Sequence, residues 1–260
     1  MNPRIKEPYV KKSWKIILVV SLILNLLIVY VGYKALEYRG HINEFLNKYT
    51  YVVDEFSGRN HYLKENRYYH SDTTVSRRVV FIGTQLTANW ELSKSFPQIE
   101  ALNRGIIGQR YSGYLLRFRS DVIALAPQAV VIEFSSYNFR PESQIEEFME
   151  YTQSLAELAR VNNIRPILTT VLPVGSDFDV EMKIPYAIAD SIKVYNNWLR
   201  RYCEEKNIVY VDYYKLMADS LGNFDNRYLA NQIQPNQVGY NLLSRIVLET
   251  FESIGITSGR

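Results

Sequence analysis

Ile16 to Tyr33 carries no charged side chain and is almost wholly aliphatic, which restricts it more than any other stretch of this sequence. As a helix it would span about 27 Å, close to the apolar thickness of a bilayer. Trp14 and Lys15 stand at one end, and Tyr30, Tyr33 and Lys34 at the other, as interfacial anchors would. The run is longer than the apolar part of a secretory signal, and no Ala-x-Ala-like cleavage site follows it. An uncleaved, single membrane anchor is therefore expected. Arg4, Lys6, Lys11, Lys12 and Lys15 precede the run, against Lys34, Arg39 and Lys48 after it. The excess predicts a cytoplasmic tail over 1–15, a span over 16–34, and the remainder outside the cytoplasm, in the periplasm or at the cell surface of a bacterium. Ser21 and Asn25 share one face of this helix. An amide in lipid gains about 0.6–2 kcal/mol from a partner, so they are candidate contacts to another membrane protein or to a second copy. A lone tolerated Asn is the plainer reading.

Beyond the anchor, apolar residues at Tyr38, Ile42, Phe45, Leu46, Tyr49, Val52, Val53 and Phe56 keep a three-four spacing. That predicts an amphipathic helix over Ala35–Phe56, continuous with the anchor or separate from it, loosened at Gly40 and stopped by Gly58. Ser57 to Arg77 is polar and aromatic without periodicity and reads as a connector, so residues 35–77 form a juxtamembrane segment before a domain at 78–257. A net charge of +3 gives no reason to expect nucleic acid, and a single cysteine, Cys203, excludes an internal disulfide framework. No metal site and no cofactor are expected.

From Arg78 the pattern alternates. Strands are predicted at Val79–Ile82, Ile99–Asn103, Ala129–Phe134, Ile167–Val171 and Ile208–Val211. Helices are predicted near Ala88–Phe96, Gly113–Leu125, Glu142–Asn162, Ala187–Lys206 and Val238–Ile254. Short apolar strands separated by helices imply an α/β fold, a doubly wound, parallel, five-stranded sheet of flavodoxin-like form. Chemistry in such sheets gathers at the carboxyl edge of the strands.

Four segments fall at that edge. They are Gly83-Thr84-Gln85-Leu86-Thr87, Asn103-Arg104-Gly105-Ile106-Ile107-Gly108-Gln109, Val130 to Asn138, and Asn231-Gln232-Ile233-Gln234-Pro235 opening the last helix. Their order and spacing resemble the SGNH (GDSL-type) hydrolases, a superfamily of serine esterases and acetylhydrolases, over about Val79 to Phe251. The resemblance implies an SGNH sandwich. Carried over residue by residue, it puts Gln85 where the family has its serine, Asn231 where it has its aspartate and Gln234 where it has its histidine. Gly108 keeps the oxyanion-hole glycine. In the third block Ser135 falls on the family's glycine and Tyr137 on its oxyanion asparagine, unless a one-residue bulge brings Asn138 there. The resemblance also implies an acylated-carbohydrate or lipid ligand.

The residues alone point the same way. Acyl transfer through serine needs a base that titrates near the working pH. The only histidines, His41, His61 and His70, all precede the first strand. The catalytic set is therefore expected to be empty, with Gln85, Gly108, Asn138, Asn231 and Gln234 as candidate binding residues. Amides offer both donors and an acceptor to a carbonyl or hydroxyl; alternatively they satisfy one another beneath closed loops. Glu133, inside an apolar strand, should be paired, with Arg110, Arg117 or Arg119 as candidates. Gly105 and Gly108 lack the residues of a phosphate loop. The expected function is a non-catalytic binding or scaffold subunit in envelope or cell-surface glycan biology. Two rivals stand beside it: an esterase whose nucleophile has moved to Ser135 or Ser136 with His61 or His70 as base, and a structural membrane subunit held by Ser21 and Asn25.

Overall fold

A computed structural model describes residues 10–70, 77–139, 145–178 and 188–257, and the chain separates into two units, Met1–Val53 and Asp54–Arg260. The first unit is helical. Helix α1 runs without a break over Val10–Ser57, so Gly40 does not interrupt it, and it ends at Gly58, where φ is +66°. Its large apolar side chains from Trp14 to Tyr33 are 54% to 68% exposed. It is the one described helix long and apolar enough to cross a membrane. Within it, Asn25 Nδ2 donates to the Ser21 carbonyl at 2.8 Å, so one amide hydrogen is satisfied inside the helix.

The second unit is built on five parallel strands, β1 Arg78–Gly83, β2 Glu100–Gly105, β3 Ala129–Ile132, β4 Arg165–Thr169 and β5 Val209–Val211, in the order β2-β1-β3-β4-β5. The period of two in β1 assigns its side chains to opposite faces. Val80 and Ile82 pack with Tyr114 and Phe118 of α5 (Tyr111–Asp121), Leu155 of α6 (Ile145–Val161) and Leu199 of α7 (Ile188–Lys206). Val79 and Phe81 pack with Trp90, Phe96, and Leu243, Val247 and Phe251 of the last helix (Gln237–Ser253). Two buried cores around one sheet make the expected doubly wound sandwich. Strand and long-helix limits agree with the sequence reading to within a few residues; Glu142 and Ala187, where two helices were expected to start, lie outside the described residues.

Three local expectations are corrected. The connector contains a helix, α2 at Leu63–His70. Its grip on the domain is polar, which is why no apolar spacing announced it. Buried Asn66 donates to Asp121 Oδ1 at 2.7 Å and accepts from Arg104 Nε at 3.0 Å. The Arg104 guanidinium lies over the rings of Tyr62 and Tyr69. In place of one helix over Ala88–Phe96 there are two short ones, α3 Gln85–Ala88 and α4 Leu92–Ser95. Asn103 Nδ2 takes the Thr87 carbonyl at 2.6 Å and the Trp90 carbonyl at 3.2 Å, so the helical ladder cannot continue through them. Between α8 (Tyr213–Met217) and the last helix, α9, a small antiparallel hairpin pairs β6 Leu229–Asn231 with β7 Gln234–Pro235.

Arg117 and Asp121, each with a 0% exposed side chain, form an ion pair at 3.0 Å. Arg117 Nε also donates to Gln109 Oε1 at 2.7 Å. Removing one member strands a buried charge. Arg117→Leu should cost about 3–5 kcal/mol, measured by chemical denaturation of the full chain in detergent. Adding Asp121→Leu should recover part of that loss and leave the cost of the unpartnered Gln109 and Asn66 groups.

Candidate functional site

β1 and β2 run in register to Gly83 opposite Gly105, so their two following loops leave the sheet side by side. Gly83 is required by crowding: a Cβ there would run into Thr87 Oγ1 and Glu133 Oε2. Thr84 then stands at the N-cap position of α3 without a side-chain capping bond, and Gln85 is the first residue of that short helix.

Beneath this elbow lies Glu133, only 4% exposed. No arginine reaches it among the described residues. Its carboxylate accepts the Thr84 N–H at 2.9 Å, the Thr84 hydroxyl at 3.1 Å and the Thr87 hydroxyl at 2.9 Å. The expected arginine pairing is thus replaced by donors on the adjoining loop, while Arg117 is committed to Asp121. Burial pushes the Glu133 carboxyl above its ordinary range, against the pull of the Thr84 and Thr87 hydrogen bonds.

Above the elbow is a cavity of about 260 Å³ lined by Thr84, Gln85, Ile107, Gly108, Gln109, Ser135, Asn138 and Ile233. Gly108 turns the loop after β2 with φ +74°, and a Cβ on it would meet nothing within 4 Å. The conformation, not crowding, calls for glycine there. The turn is closed by Gln109 N–H donating to the Ile106 carbonyl at 3.2 Å. Asn138 ends a 3-10 turn, Ser136–Asn138, that follows β3. It is 6% exposed, and its Nδ2 has no hydrogen-bond partner among the described residues. An unpartnered amide donor at the wall of a cavity suits an oxygen acceptor on a ligand.

Three candidate residues therefore meet here: Gln85, Gly108 and Asn138. The other two lie on the hairpin. Gln234 is buried, and its Oε1 accepts from Asn89 Nδ2 at 3.4 Å; Asn89 sits one turn beyond Gln85, its N–H bonded to the Gln85 carbonyl at 3.1 Å. Asn231 is exposed and accepts the Ile233 N–H at 3.1 Å, shaping the hairpin turn. The three amides at 85, 231 and 234 make no hydrogen bond to one another among the described residues. Gln85 faces the cavity instead.

Ile107, Gln109 and Ile233 were missed from sequence. Gln109 is 6% exposed, its Nε2 donating to the Ser57 carbonyl at 3.0 Å while its Oε1 accepts from Arg117. Its place directly after Gly108 was the one available hint. Ser136 Oγ is buried, has no hydrogen-bond partner among the described residues and does not line the cavity, and His61 is an exposed residue against Tyr62. Nothing is described of the His70 side chain. Among the described residues no three His, Cys, Asp or Glu side chains gather closely enough to hold a metal ion.

Residues 77–242 match the family model described as GDSL-like Lipase/Acylhydrolase. A GDSL-like lipase from Bacteroides thetaiotaomicron VPI-5482 superposes with a TM-score of 0.69 at 28% identity, covering 76% of this chain and 99% of that one. The lipase/acylhydrolase from Enterococcus faecalis (TM-score 0.59, 19% identity, 68% of this chain and 96% of that one) shares the fold. So does an acetylxylan esterase from Geobacillus stearothermophilus, in a catalytic-mutant form (TM-score 0.56, 18% identity, 68% and 94%). No curated protein is similar enough to this chain to count as a match.

A carboxyl whose folded-state pKa is raised adds stability that is present at low pH and lost as pH rises through that pKa. Glu133→Gln does not ionise; its one carbonyl oxygen can accept from the Thr84 N–H and the Thr87 hydroxyl, with the Thr84 hydroxyl turned to accept from its Nε2. The variant should melt with the parent at about pH 4 and increasingly above it towards about pH 8, read as Tm against pH for the full chain.

Proposed function

The chain belongs to the GDSL-like lipase/acylhydrolase family, and from that premise we propose that it binds an acyl ester without hydrolysing it. The observation that carries this reading is the cavity at the β1 elbow. Its lining keeps what holds a carbonyl, a Gly108 turn and the Asn138 amide, and has Gln85 where the family's nucleophile belongs. The positions corresponding to the family's acid and base are Asn231 and Gln234. An amide neither attacks a carbonyl nor shuttles a proton near neutral pH. Loss of triad members, which act as a unit, costs about 10⁴–10⁶ in turnover.

The ligand class follows from relatives whose descriptions name lipases, acylhydrolases and acetylxylan esterases: an acylated carbohydrate or lipid. The apolar face of α1, with the basic excess before it, supports a membrane-anchored protein with its amino terminus in the cytoplasm and the family domain outside it. In a bacterium the domain would then serve as a binding or scaffold subunit in envelope or cell-surface glycan biology.

The full chain in detergent should show no turnover above background on acetyl and p-nitrophenyl esters, and Gln85→Ser should not create any, because among the described residues no histidine, aspartate or glutamate lines the cavity at position 85. Turnover by the unmodified chain that disappears in Ser136→Ala would overturn the reading. A carboxyl-terminal alkaline phosphatase fusion should be active and a fluorescent-protein fusion at the same point dark; the reverse pattern would invert the proposed topology.

A further inference from the structure

Beyond the span, α1 carries an apolar stripe of its own. Ala35, Tyr38, Ile42, Phe45, Tyr49 and Val52 follow one another at steps of three, four, three, four and three residues. That is the 3.5-residue repeat of a left-handed coiled coil, and these residues fill its a and d positions. A helix lying on a globular core keeps a 3.6-residue face, which drifts from such a line by about 20° in each heptad. Lys34, Glu37, Arg39, Glu44 and Lys48 all fall outside the a and d positions. Tyr38, Ile42, Phe45 and Tyr49 are 57% to 67% exposed, and the Phe45 and Tyr49 rings stack along the stripe with centroids 6.3 Å apart. Large apolar side chains left exposed in a line need a cover.

Register and charge both point to a second copy of this helix as that cover. The stripe continues, without a break in α1, from a stretch long and apolar enough to cross a membrane. Two copies in one bilayer point the same way and hold equal residues at equal heights. The a and d positions of one then meet those of the other. The same register runs back into the span through Val31, Ile28 and Leu24 to Ser21 at an a position, with Asn25 at the flanking e position. The serine and the amide therefore lie on the side that the stripe defines.

The flanking lysines are neutralised within their own helix, Lys34 by Glu37 at 2.8 Å and Lys48 by Glu44 at 2.7 Å. Arg39 is left as the one flanking arginine or lysine without an acid among the described residues. Identical helices can thus approach with little repulsion, whereas an acidic partner would find the lysines already paired. Leu46, at an e position and 51% exposed, widens the apolar contact at its edge.

We propose that residues 35–52 form a parallel, in-register coiled coil with a second copy of this chain, so that the anchored protein carries its family domains in pairs. This is independent of what the Gln85 cavity binds.

Cysteine scanning tests it on the full chain in phosphatidylcholine vesicles that hold no other protein. Cys203 is 1% exposed, so the unmodified chain supplies the background. Single cysteines replacing Tyr38, Ile42, Phe45 or Tyr49 should form disulfide-linked dimers on oxidation. Cysteines replacing Gly40, Asn43 or Asn47, at the outer b and f positions, should do so about tenfold less, because their Cα atoms are held too far apart. Phe45→Lys, which puts a charge into the seam, should lower the linked fraction of Ile42→Cys about tenfold with the circular dichroism unchanged. Should that variant lose helix, the scan decides alone. Equal linkage around the helix, or none above background, overturns the coiled coil. So does linkage that Asn25→Leu abolishes and Phe45→Lys leaves intact, since the span alone would then hold the copies.

Discussion

A buried carboxylate that no described cation pairs with holds the carboxyl edge of this sheet in shape. Glu133 follows β3 and takes up one backbone N–H and two hydroxyls from the loop after β1. Each donor lies on the elbow that carries Gln85. The arrangement joins the ends of the two central strands through a single side chain and sets the direction in which α3 leaves the sheet. Gly83 has no room for a Cβ because this carboxylate and Thr87 occupy the space. Tyr114 closes the other side by donating to the Glu133 carbonyl at 2.9 Å. A buried charge satisfied only by hydrogen bonds is costly, and the raised pKa is the sign of that cost.

A second network runs from the elbow to the start of the domain. Arg117 reaches the Gly83 carbonyl at 3.5 Å, Asp121 and Gln109. Gln109 in turn holds the Ser57 carbonyl, the last residue of α1. Asn66 of α2 ties Asp121 to Arg104, the residue before Gly105. Residues 57–70 are thus wired to the loop after β2 that lines the cavity through polar side chains rather than through an apolar seam. Neutral partners in this web, Gln109 and Asn66, sit between charged ones, so a change at either would leave a buried guanidinium or carboxylate short of a partner.

This difference explains what could be read in advance. β1, β3 and β4 are short apolar runs buried on both faces, and burial of that kind leaves a plain mark on sequence. The long helices α6, α7 and α9 likewise carry apolar residues at helical spacing. The segment 57–77 carries no such mark, because α2 is held by Asn66 and by tyrosines around Arg104, and polar contacts over long sequence separation have no period. Glu133 was legible as a charge needing a partner, but not which partner: an arginine and a pair of threonine hydroxyls satisfy the same requirement. Motif order located Gln85 and Gly108 at the cavity. Asn138 depended on the course of the chain after β3, which a 3-10 turn decides. The hairpin pairs Asn231 with Gln234 but leaves the first exposed and the second buried, and Ile233, between them, provides the wall.

The consequence for chemistry is a site whose lining is neutral throughout. Serine, histidine and aspartate would make binding and turnover follow the protonation of the imidazole. Threonine, glutamine, glycine, serine, asparagine and isoleucine keep the same donors and acceptors across the ordinary pH range. Glu133 lies under the elbow and accepts from Thr84, which lines the cavity. A proton on Glu133 therefore acts on the cavity through the position of the elbow rather than through charge at its surface. The carboxyl sits beneath an amide, and its effect is confined to how firmly that amide is held.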